Sequence, residues 1–534
     1  MTIGKQSVRT FINGKIFTSN PEQPYANAMI VRDGKIVWIG EQSDLENIEG
    51  DCVDLSGNRV LPGFIDAHLH PLWLANASTQ IACTPPLVNS IADLIEQIRN
   101  LSTSNKSDKW IEGWGYDEGK LSEGRAPARW DLDEATTDIP IFITRTCTHI
   151  AVVNSKALEL AGITKNTPDP QGGKIDRDSN GEPTGILREN AKDLVQRMLP
   201  AKSLEENAES LAQLSTMLFA HGITAITDLM SKSKPIDYFD IYHAAIKKGL
   251  KQRTVLYYLW EDLKEQPILG PDKIKRENQI HIGGIKLFSD GSISGKTAWV
   301  NPPFLDEEEN YGIQMTTKEE LLAAAKAAEQ NSIQLVVHAM GEQAIDLIVD
   351  TFYGKKGWLI DGPSIRIEHA AMPTSRAIQR AAETGIAFVT QPIFVFAEIE
   401  SYLKNLGSER TKQTYPIRSM LKSGIKVAFS SDAPATAWAD PVNPFVGIMS
   451  FVTRLAYDGS DTGQDQRVDL TTAIMLYTKA AQEITRIPHI GQLSIGNHAD
   501  FIVLDQDIFE MNLEKINTVL VKQTYMGGNL VFQR

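Results

Sequence analysis

Short apolar runs alternate with longer amphipathic stretches through the middle of the chain. Eight of these runs have the length and composition of β-strands, and they lie at 63–70, 222–229, 254–260, 281–288, 333–339, 364–370, 385–391 and 425–432. Between most of them, apolar residues recur every three to four positions, which predicts helices. Strands that alternate with helices in this way predict βαβ units and a parallel sheet.

The stretch 203–222, SLEENAESLAQLSTMLFAHG, shows the helical pattern clearly. Ser203 stands where a residue caps the amino terminus, and Glu206 occupies the capping-box position three residues later. Gly222 is suited to end the helix. Eight strand–helix repeats predict a (β/α)8 TIM-like barrel rather than an open sheet, and therefore an α/β fold.

Both ends of the chain have a different pattern. Residues 1–60 contain short β segments separated by turns such as NGK, RDGK and SGN, which are typical of hairpins. Residues 486–534 repeat this pattern in ADFIVLDQD and INTVLVKQTYMGGNLVFQ. We therefore predict that 1–60 and 486–534 together form a small β-sandwich domain, and that 61–485 form the barrel.

One segment does not fit the repeat. Residues 77–202 separate the first strand from the helix before the second strand, and this distance is far longer than a usual βα loop. Loops at the carboxyl ends of barrel strands build the active site in this fold. The segment is therefore predicted to be an inserted subdomain that covers the active site.

Composition narrows the class of protein. Hydrophobic residues make up 42% and charged residues 22%, which is typical of a globular protein in water. No run is long enough for a membrane helix, and the start has no apolar signal core. The three cysteines form no CxxC pair, which suits a reducing compartment, so we expect a cytoplasmic protein. A net charge of −14 argues against a nucleic-acid partner.

Two histidines end the first predicted strand. In GFIDAHLH, strand periodicity puts His68 and His70 on one face, and Ile65 and Ala67 on the other, toward the helices. Two imidazoles at the carboxyl end of a strand can bind one metal ion. Alone, such a pair is more often two ordinary polar residues.

Other predicted strands end in the same way. His338 ends the fifth strand, His369 the sixth and Asp432 the eighth. The chain has ten histidines, and four of them lie at the end of the barrel where side chains converge. Each placement alone is unremarkable, but together they predict a metal site.

Lys286 lies inside the apolar strand IGGIKLF, in phase with Asp290. A lysine that points into a barrel is costly to bury in its charged form. One interpretation is a salt bridge to Asp290 or another interior carboxylate. The other is a neutral amine, with its pKa lowered by burial, that serves as a functional group.

In this order the residues resemble the ligand set of the amidohydrolase superfamily. That set has HxH after strand one, a lysine after strand four, a histidine after each of strands five and six, and an aspartate after strand eight. The phrases LPGFIDAHLHP, NSKALELAGI, GEPTGILRE, IKLFSDGSISG, IEHA, SDAP and GQLSIGNHADFIVLD resemble the YtcJ-like branch, which includes N-substituted formamide deformylases. The resemblance covers essentially the whole chain.

The resemblance implies a metal-dependent hydrolase that cleaves a non-peptide C–N bond of a small-molecule amide by attack of metal-bound hydroxide. Zinc is the expected metal, as one or two ions, with manganese or iron as alternatives. Lys286 would be carboxylated by carbon dioxide, and Asp432 would act as general base and proton donor. The implied metal ligands are His68, His70, Lys286, His338, His369 and Asp432.

Five further residues are candidates for substrate contact. His149 and Asn154 lie in THIAVVNS of the insertion, where a hydrogen-bonded loop explains them equally well. Asp290 could pair with Lys296 or orient the strand-four lysine. Lys296 stands roughly where many relatives have an arginine, which puts a substrate preference carried over from those relatives in doubt. Trp299 could line an apolar pocket, although packing is the commoner role of tryptophan.

Several alternatives stay open. The same site could hydrolyse a lactone, a cyclic amide or an ester, because the chemistry is shared. A non-catalytic regulatory or binding protein could also retain the barrel, although it would have no need of all six ligands. The sequence does not determine the number of ions or the oligomeric state, for which a homodimer is one option. No membrane partner is expected.

Overall fold

Eight parallel strands form one sheet whose order follows the chain. A computed structural model describes residues 8–534, except 79, 86, 105–109, 147–149, 171–172, 201, 266–268, 437 and 439. The strands, called barrel strands one to eight below, are Phe64–Leu69, Ile223–Ser231, Arg253–Leu259, Ile280–Phe288, Gln334–Ala339, Ile365–His369, Ala387–Thr390 and Val427–Phe429. After strand eight, the Asp432 amide donates a hydrogen bond of 2.8 Å to the His68 carbonyl of strand one. The predicted barrel is confirmed.

Helices separate most of the barrel strands. The predicted helix at 203–222 spans Leu204–Ala220, and Ser203 and Glu206 form the expected capping box with hydrogen bonds of 2.8 and 3.2 Å. No helix in the described part of the chain is long and apolar enough to cross a membrane. The other helices around the barrel are Tyr238–Lys248, Trp260–Leu263, Lys318–Gln330, Glu342–Phe352, Ser375–Thr384, Pro392–Ala397, Ile399–Leu406, Ser408–Gln413, Ile417–Lys422, Pro444–Thr453, Leu470–Leu476 and Lys479–Thr485.

Strands from both termini form a small β-sandwich. One sheet contains, in spatial order, Lys35–Gly40, Ala28–Arg32, Val8–Ile12 and Asp51–Asp54. The other contains Asn529–Gln533, Val521–Met526, Phe501–Leu504, Arg59–Pro62, Lys15–Phe17 and Tyr25–Ala26. Both sheets contribute to one apolar core, in which Phe11 packs edge-on against Phe501 at 5.1 Å between ring centroids. The terminal β domain is therefore built jointly by residues from the two ends of the chain.

The segment inserted after strand one has its own sheet and its own apolar clusters. Residues Leu72–Asn207 form a compact unit together with Ala433–Pro441, and the described residues of the remaining chain form the other unit. The inserted strands, in spatial order, are Gly173–Arg177, Pro183–Glu189, Ile150–Val153, Ile141–Arg145, Ile111–Tyr116 and Ile81–Ala82. The helices of this segment are Pro71–Ala77, Ile91–Ser104, Arg129–Asp133, Ser155–Leu160 and Asp193–Gln196. Its predicted role as a cover over the active site stays a prediction.

The side chains of strand one do not face as the simple alternation predicts. Ile65 and Ala67 were expected to face the helices, but they belong to an interior cluster with Tyr257 of strand three and Val336 of strand five. Outside the barrel, Phe64 packs against the helix Pro444–Thr453 instead. This part of the prediction was wrong.

A β-bulge explains why His68 still faces the interior. Strand one has Asp66 paired with Ile226 and Leu69 paired with Asp228, so it contains one residue more than its neighbour over this stretch. An extra residue interrupts the alternation of side chains between the two faces of a sheet. Ala67 and His68 are consecutive residues, and yet both side chains face the barrel interior.

Candidate metal centre

Three potential ligands lie together at the carboxyl ends of strands one and eight. The Oδ1 atom of Asp432 is 3.1 Å from Nε2 of His68 and 2.8 Å from Nε2 of His70. All three side chains are buried, and within the described residues they form a group of His and Asp ligands that could hold one metal ion. Asp432 has a φ of +57°, a conformation uncommon for residues other than glycine.

The histidines that end strands five and six adjoin this group. The ring centroids of His338 and His369 are 4.3 Å apart, and that of His369 is 5.0 Å from that of His68. Strand alternation would place His369 on the face opposite to Glu368, toward the helices. Its φ of +69° breaks that alternation, and the ring stands among the other histidines. All four predicted histidines therefore converge.

Hydrogen bonds fix which nitrogen of three of these rings can accept a metal ion. Nδ1 of His369 contacts Oε1 of Gln391 at 2.7 Å, and Nδ1 of His68 contacts Oε2 of Glu368 at 2.6 Å. Nε2 of His338 contacts the Gly291 carbonyl at 2.9 Å. Because these oxygens accept hydrogen bonds, the contacting nitrogens carry protons, and the opposite nitrogen of each ring is the one that could bind a metal ion.

Lys286 is buried at the same end of the barrel. Its side chain is 1% exposed, and among the described residues its Nζ has no hydrogen-bond partner. Burial lowers its pKa to about 8, against the raising effect of the negative charges of Glu368 and Asp432. The salt bridge to Asp290 is absent, because both Asp290 oxygens accept backbone hydrogen bonds elsewhere. These features favour the interpretation of Lys286 as a functional amine.

A buried ion pair supports His68 from behind. Arg366 and Glu368 lie two residues apart on strand six, both 0% exposed, with Nε of the arginine 2.9 Å from Oε1 of the glutamate. Arg366 also donates to the Ala67 carbonyl at 2.7 Å and to the Tyr257 hydroxyl at 2.9 Å. Sequence analysis missed this pair, although two charged residues in phase within the apolar strand IRIEH were a usable signal.

Charge among these groups shifts their pKa values in opposite directions. Burial raises the pKa of Asp432, but the neighbouring His68 and His70 outweigh burial and hold it well below its usual range. Burial likewise opposes ionisation of Glu368, yet Arg366 brings its pKa down to about 2. The site therefore keeps two carboxylates ionised in a buried place, as a cationic ligand requires.

Asp290 and Lys296 do not pair with each other, although such a pair was one of the two expected roles of Asp290. Asp290 is buried and accepts hydrogen bonds of 2.8–2.9 Å from the amides of Trp299, Met340 and Gly341. Lys296 instead bonds Glu307 at 2.5 Å. Asp290 thus fixes the loop after strand four to the end of strand five, which is the place of His338.

Asn154 is saturated by structural hydrogen bonds. Its Oδ1 accepts from the amides of Ile141 and Ala157, and its Nδ2 donates to the carbonyls of Thr136 and Ile139. It also caps the helix Ser155–Leu160. These contacts favour the structural interpretation of Asn154, and His149 lies outside the described residues.

The donor set fits a divalent metal ion. Tetrahedral zinc with ligands at about 2.0–2.1 Å places the ligand atoms roughly 3.3 Å apart, close to the separations of Asp432 from His68 and His70. The unpartnered Nζ of Lys286 is a second sign, because buried polar atoms are nearly always satisfied. A carboxylated lysine that binds metal would remove this deficit.

Comparisons with known proteins agree with this geometry. YtcJ of Bacillus subtilis (strain 168) is 28% identical over 98% of both chains, and the N-substituted formamide deformylase of Arthrobacter pascens is 27% identical over 98% of both. A metal-dependent hydrolase of Pyrococcus horikoshii OT3 has a similar structure, with a TM-score of 0.76 and 25% identity, over 95% of this chain and 99% of that one. A family model described as "Amidohydrolase family" matches residues 51–532. The chain therefore belongs to the amidohydrolase family.

Proposed function

We propose that this protein is a metal-dependent hydrolase that cleaves a non-peptide amide bond of a small molecule. The observation that carries the proposal is the convergence of side chains at the carboxyl ends of the barrel strands. They are four histidines, an ionised aspartate and a buried lysine whose pKa is lowered. Active sites of such barrels lie at that end. Membership of the family and the similarity to a formamide deformylase support the same reaction class.

Six residues would hold the metal. His68, His70 and Asp432 would hold one ion, His338 and His369 would hold a second, and Lys286 would be the sixth ligand, as a carbamate. A bound divalent ion supplies Lewis acidity, which polarises a carbonyl and makes water more acidic. Zinc is the proposed metal because the donors are imidazoles and a carboxylate without thiolates, with manganese or iron as alternatives.

Lys286 would carry the carbamate between the two ions. Only a neutral amine reacts with carbon dioxide, and burial brings the pKa of Lys286 to about 8, so a useful share is neutral near neutral pH. Carboxylation converts a costly buried cation into an anionic oxygen ligand. The lack of a hydrogen-bond partner among the described residues leaves its Nζ available for this reaction.

Asp432 is the proposed general base and acid. It takes the proton of the attacking water, the water oxygen forms a bond to the carbonyl carbon, and the C–N bond then breaks. Asp432 returns the proton to the departing nitrogen, so the products are a carboxylic acid and an amine. The neighbouring His68 and His70 favour the ionised form of Asp432, which is the form that can accept a proton.

The proposed substrate is a small amide. N-substituted formamides and N-acyl amines are the first choice because of the deformylase relative. Lactones, cyclic amides and esters remain alternatives on the same site, and a regulatory protein without activity is the other class. We place the protein in the cytoplasm because Cys52 and Cys83 are free thiols.

The deciding experiment is elemental analysis of purified wild type and Lys286→Ala, followed by a screen of amides, lactones and esters. We expect one or two zinc ions per chain in wild type, loss of metal and turnover in Lys286→Ala, and both retained in the matched control Lys522→Ala on an exposed strand position. Wild type without metal after supplementation with zinc and bicarbonate would favour the regulatory class. Turnover of esters but not of amides would show that the protein is an ester hydrolase instead.

A further inference from the structure

A cavity lies at the end of the barrel opposite to the proposed metal centre. It has a volume of about 220 Å³, and its lining includes Arg253 and His281, at the amino ends of strands three and four. Lys286 is five residues further along strand four, about 17 Å away at about 3.3 Å per residue. A small ligand in this cavity therefore cannot touch the reacting atoms of the proposed active site.

The cavity is lined mainly by cationic and protonatable side chains. Among the described residues that line the cavity, the one with a carboxylate is Glu277. Two acids behind the lining offset part of the charge, because Asp500 bonds Arg253 at 3.0 Å and Asp361 bonds Arg276. The basic and imidazole side chains of the lining are Lys35, Arg253, Arg276, His281, His489 and His498.

Neighbouring cations contribute to the low pKa values of two imidazoles in this cavity. Burial is the main cause that lowers the pKa of His281 to about 4, and the charge of Arg276 adds to it. Burial also lowers the pKa of His498 to about 4, with Arg253 and Lys35 acting in the same direction. The charges of Lys35, Arg253 and Arg276 act on this one space, and cationic charge around a cavity favours an anion in it.

His281 has a buried polar atom that is not satisfied by the described residues. Its side chain is 2% exposed, and its Nδ1 has no hydrogen-bond partner among the described residues. Buried polar atoms nearly always have a partner in the protein, in water or in a ligand. A buried imidazole in the wall of a basic cavity is suited to contact an anion.

We propose that this cavity binds a phosphate-like anion, either inorganic phosphate or the phosphoryl group of a small phosphate monoester. Phosphate oxygens accept strong hydrogen bonds from guanidinium, ammonium and imidazole N–H groups. The cavity offers three kinds of these donors around one space, between the small β domain and the amino ends of the barrel strands. This proposal is independent of the proposed hydrolase activity.

The test is isothermal titration of the metal-loaded full chain with inorganic phosphate and, separately, with glycerol 3-phosphate. We expect saturable binding that weakens about tenfold in Lys35→Gln, which loses a charge, and in His498→Phe, which loses the imidazole N–H donor. Lys35 is exposed, so its replacement spares the fold. Lys522→Gln is the matched loss of charge away from the cavity, and Asp432→Asn the matched change at the metal centre. Both should bind as wild type does.

Tighter binding of glycerol 3-phosphate would identify an organic phosphate as the ligand, and equal or weaker binding would identify inorganic phosphate. Two results would overturn the proposal. One is the lack of saturable binding of either compound by wild type at millimolar concentration. The other is binding that is lost in Asp432→Asn and kept in Lys35→Gln and His498→Phe, which would place the anion at the metal centre instead.

Discussion

At the scale of single residues, the buried pair of Arg366 and Glu368 has two functions. It neutralises two charges in the barrel interior, and through Glu368 it holds the ring of His68 in the tautomer whose Nε2 faces Asp432. A carboxylate behind a metal-binding histidine orients the ring and raises its basicity. Stability and ligand geometry therefore depend on the same side chain.

Glu368→Gln is expected to lower the free energy of unfolding by about 3–5 kcal/mol, because it leaves Arg366 buried without a counter-charge. Urea unfolding followed by tryptophan fluorescence measures this change. Arg366→Met in the same chain should recover part of the loss, since no unpaired charge remains. Glu308→Gln, at an exposed position, should change the free energy by less than about 0.5 kcal/mol. A loss below about 1 kcal/mol in Glu368→Gln would contradict the role of the pair.

Asp432→Asn is expected to lower kcat by about 10²–10⁴, because the amide cannot accept the proton of the attacking water. Steady-state kinetics measures the effect, and elemental analysis of the same sample shows whether metal is retained. Asp458→Asn, an exposed change of the same kind, should leave kcat unaltered. If metal-loaded Asp432→Asn turns over substrate within a few-fold of the wild-type rate, Asp432 is not the general base.

At the scale of elements, the sequence was sufficient for the eight barrel strands and their order, because each strand carries a strong apolar signal. It also located the ends of the strands, where His68, His338 and Asp432 stand. It could not show the bulge in strand one, since a bulge depends on pairing with a neighbouring strand. The positive φ values of His369 and Asp432 were hidden for the same reason, as they are set by tertiary contacts.

The contacts of Asp290 show a second limit of sequence reasoning. Its partners are backbone amides, two of them about fifty residues further along the chain, and amides carry no sequence signature. From the sequence, Lys296 was therefore a reasonable partner for Asp290, but in the structure it forms an ion pair with Glu307. Predictions from side-chain chemistry are weakest where a carboxylate is satisfied by the main chain.

Ser203→Ala is expected to destabilise the helix Leu204–Ala220 by about 1 kcal/mol, because the first turn loses the acceptor for the Glu206 amide. Amide hydrogen exchange in the first turn of this helix measures the loss directly. Thr216→Ala, which removes a hydroxyl from an exposed position inside the same helix, should be neutral or stabilising. Equal protection in wild type and Ser203→Ala would show that the capping box is not needed.

At the scale of the whole molecule, the small β domain depends on contacts between the two ends of the chain. Arg59 bonds both oxygens of Asp507 at 2.7 and 2.9 Å, and Lys15 bonds the same carboxylate at 3.0 Å. Partial burial raises the pKa of Asp507, but these hydrogen bonds outweigh it and bring the pKa to about 2. The ionised carboxylate thus joins segments that are distant in sequence.

Asp507→Asn is expected to lower the free energy of unfolding at neutral pH by about 1–2 kcal/mol. A carboxylate whose pKa is depressed in the folded state stabilises the protein above about pH 4, and this contribution is lost as pH falls toward 2. The difference between wild type and Asp507→Asn should therefore shrink over that window in urea unfolding at stepped pH. Arg59→Met should reproduce the same pattern. A difference that stays constant from pH 7 to 2 would exclude this ion pair as its source.

The pairing of Arg59–Pro62 with Phe501–Leu504 also has a consequence for biosynthesis. Ribosomes add about 5–20 residues per second, so strand Arg59–Pro62 waits for roughly 20 to 90 seconds before its partner is translated. During that interval the amino-terminal strands have an unpaired edge, on which a nascent chain is open to wrong pairing and to chaperone capture. Completion of the terminal sheet is therefore a late event in the life of each new chain, after most of the barrel sequence has left the ribosome.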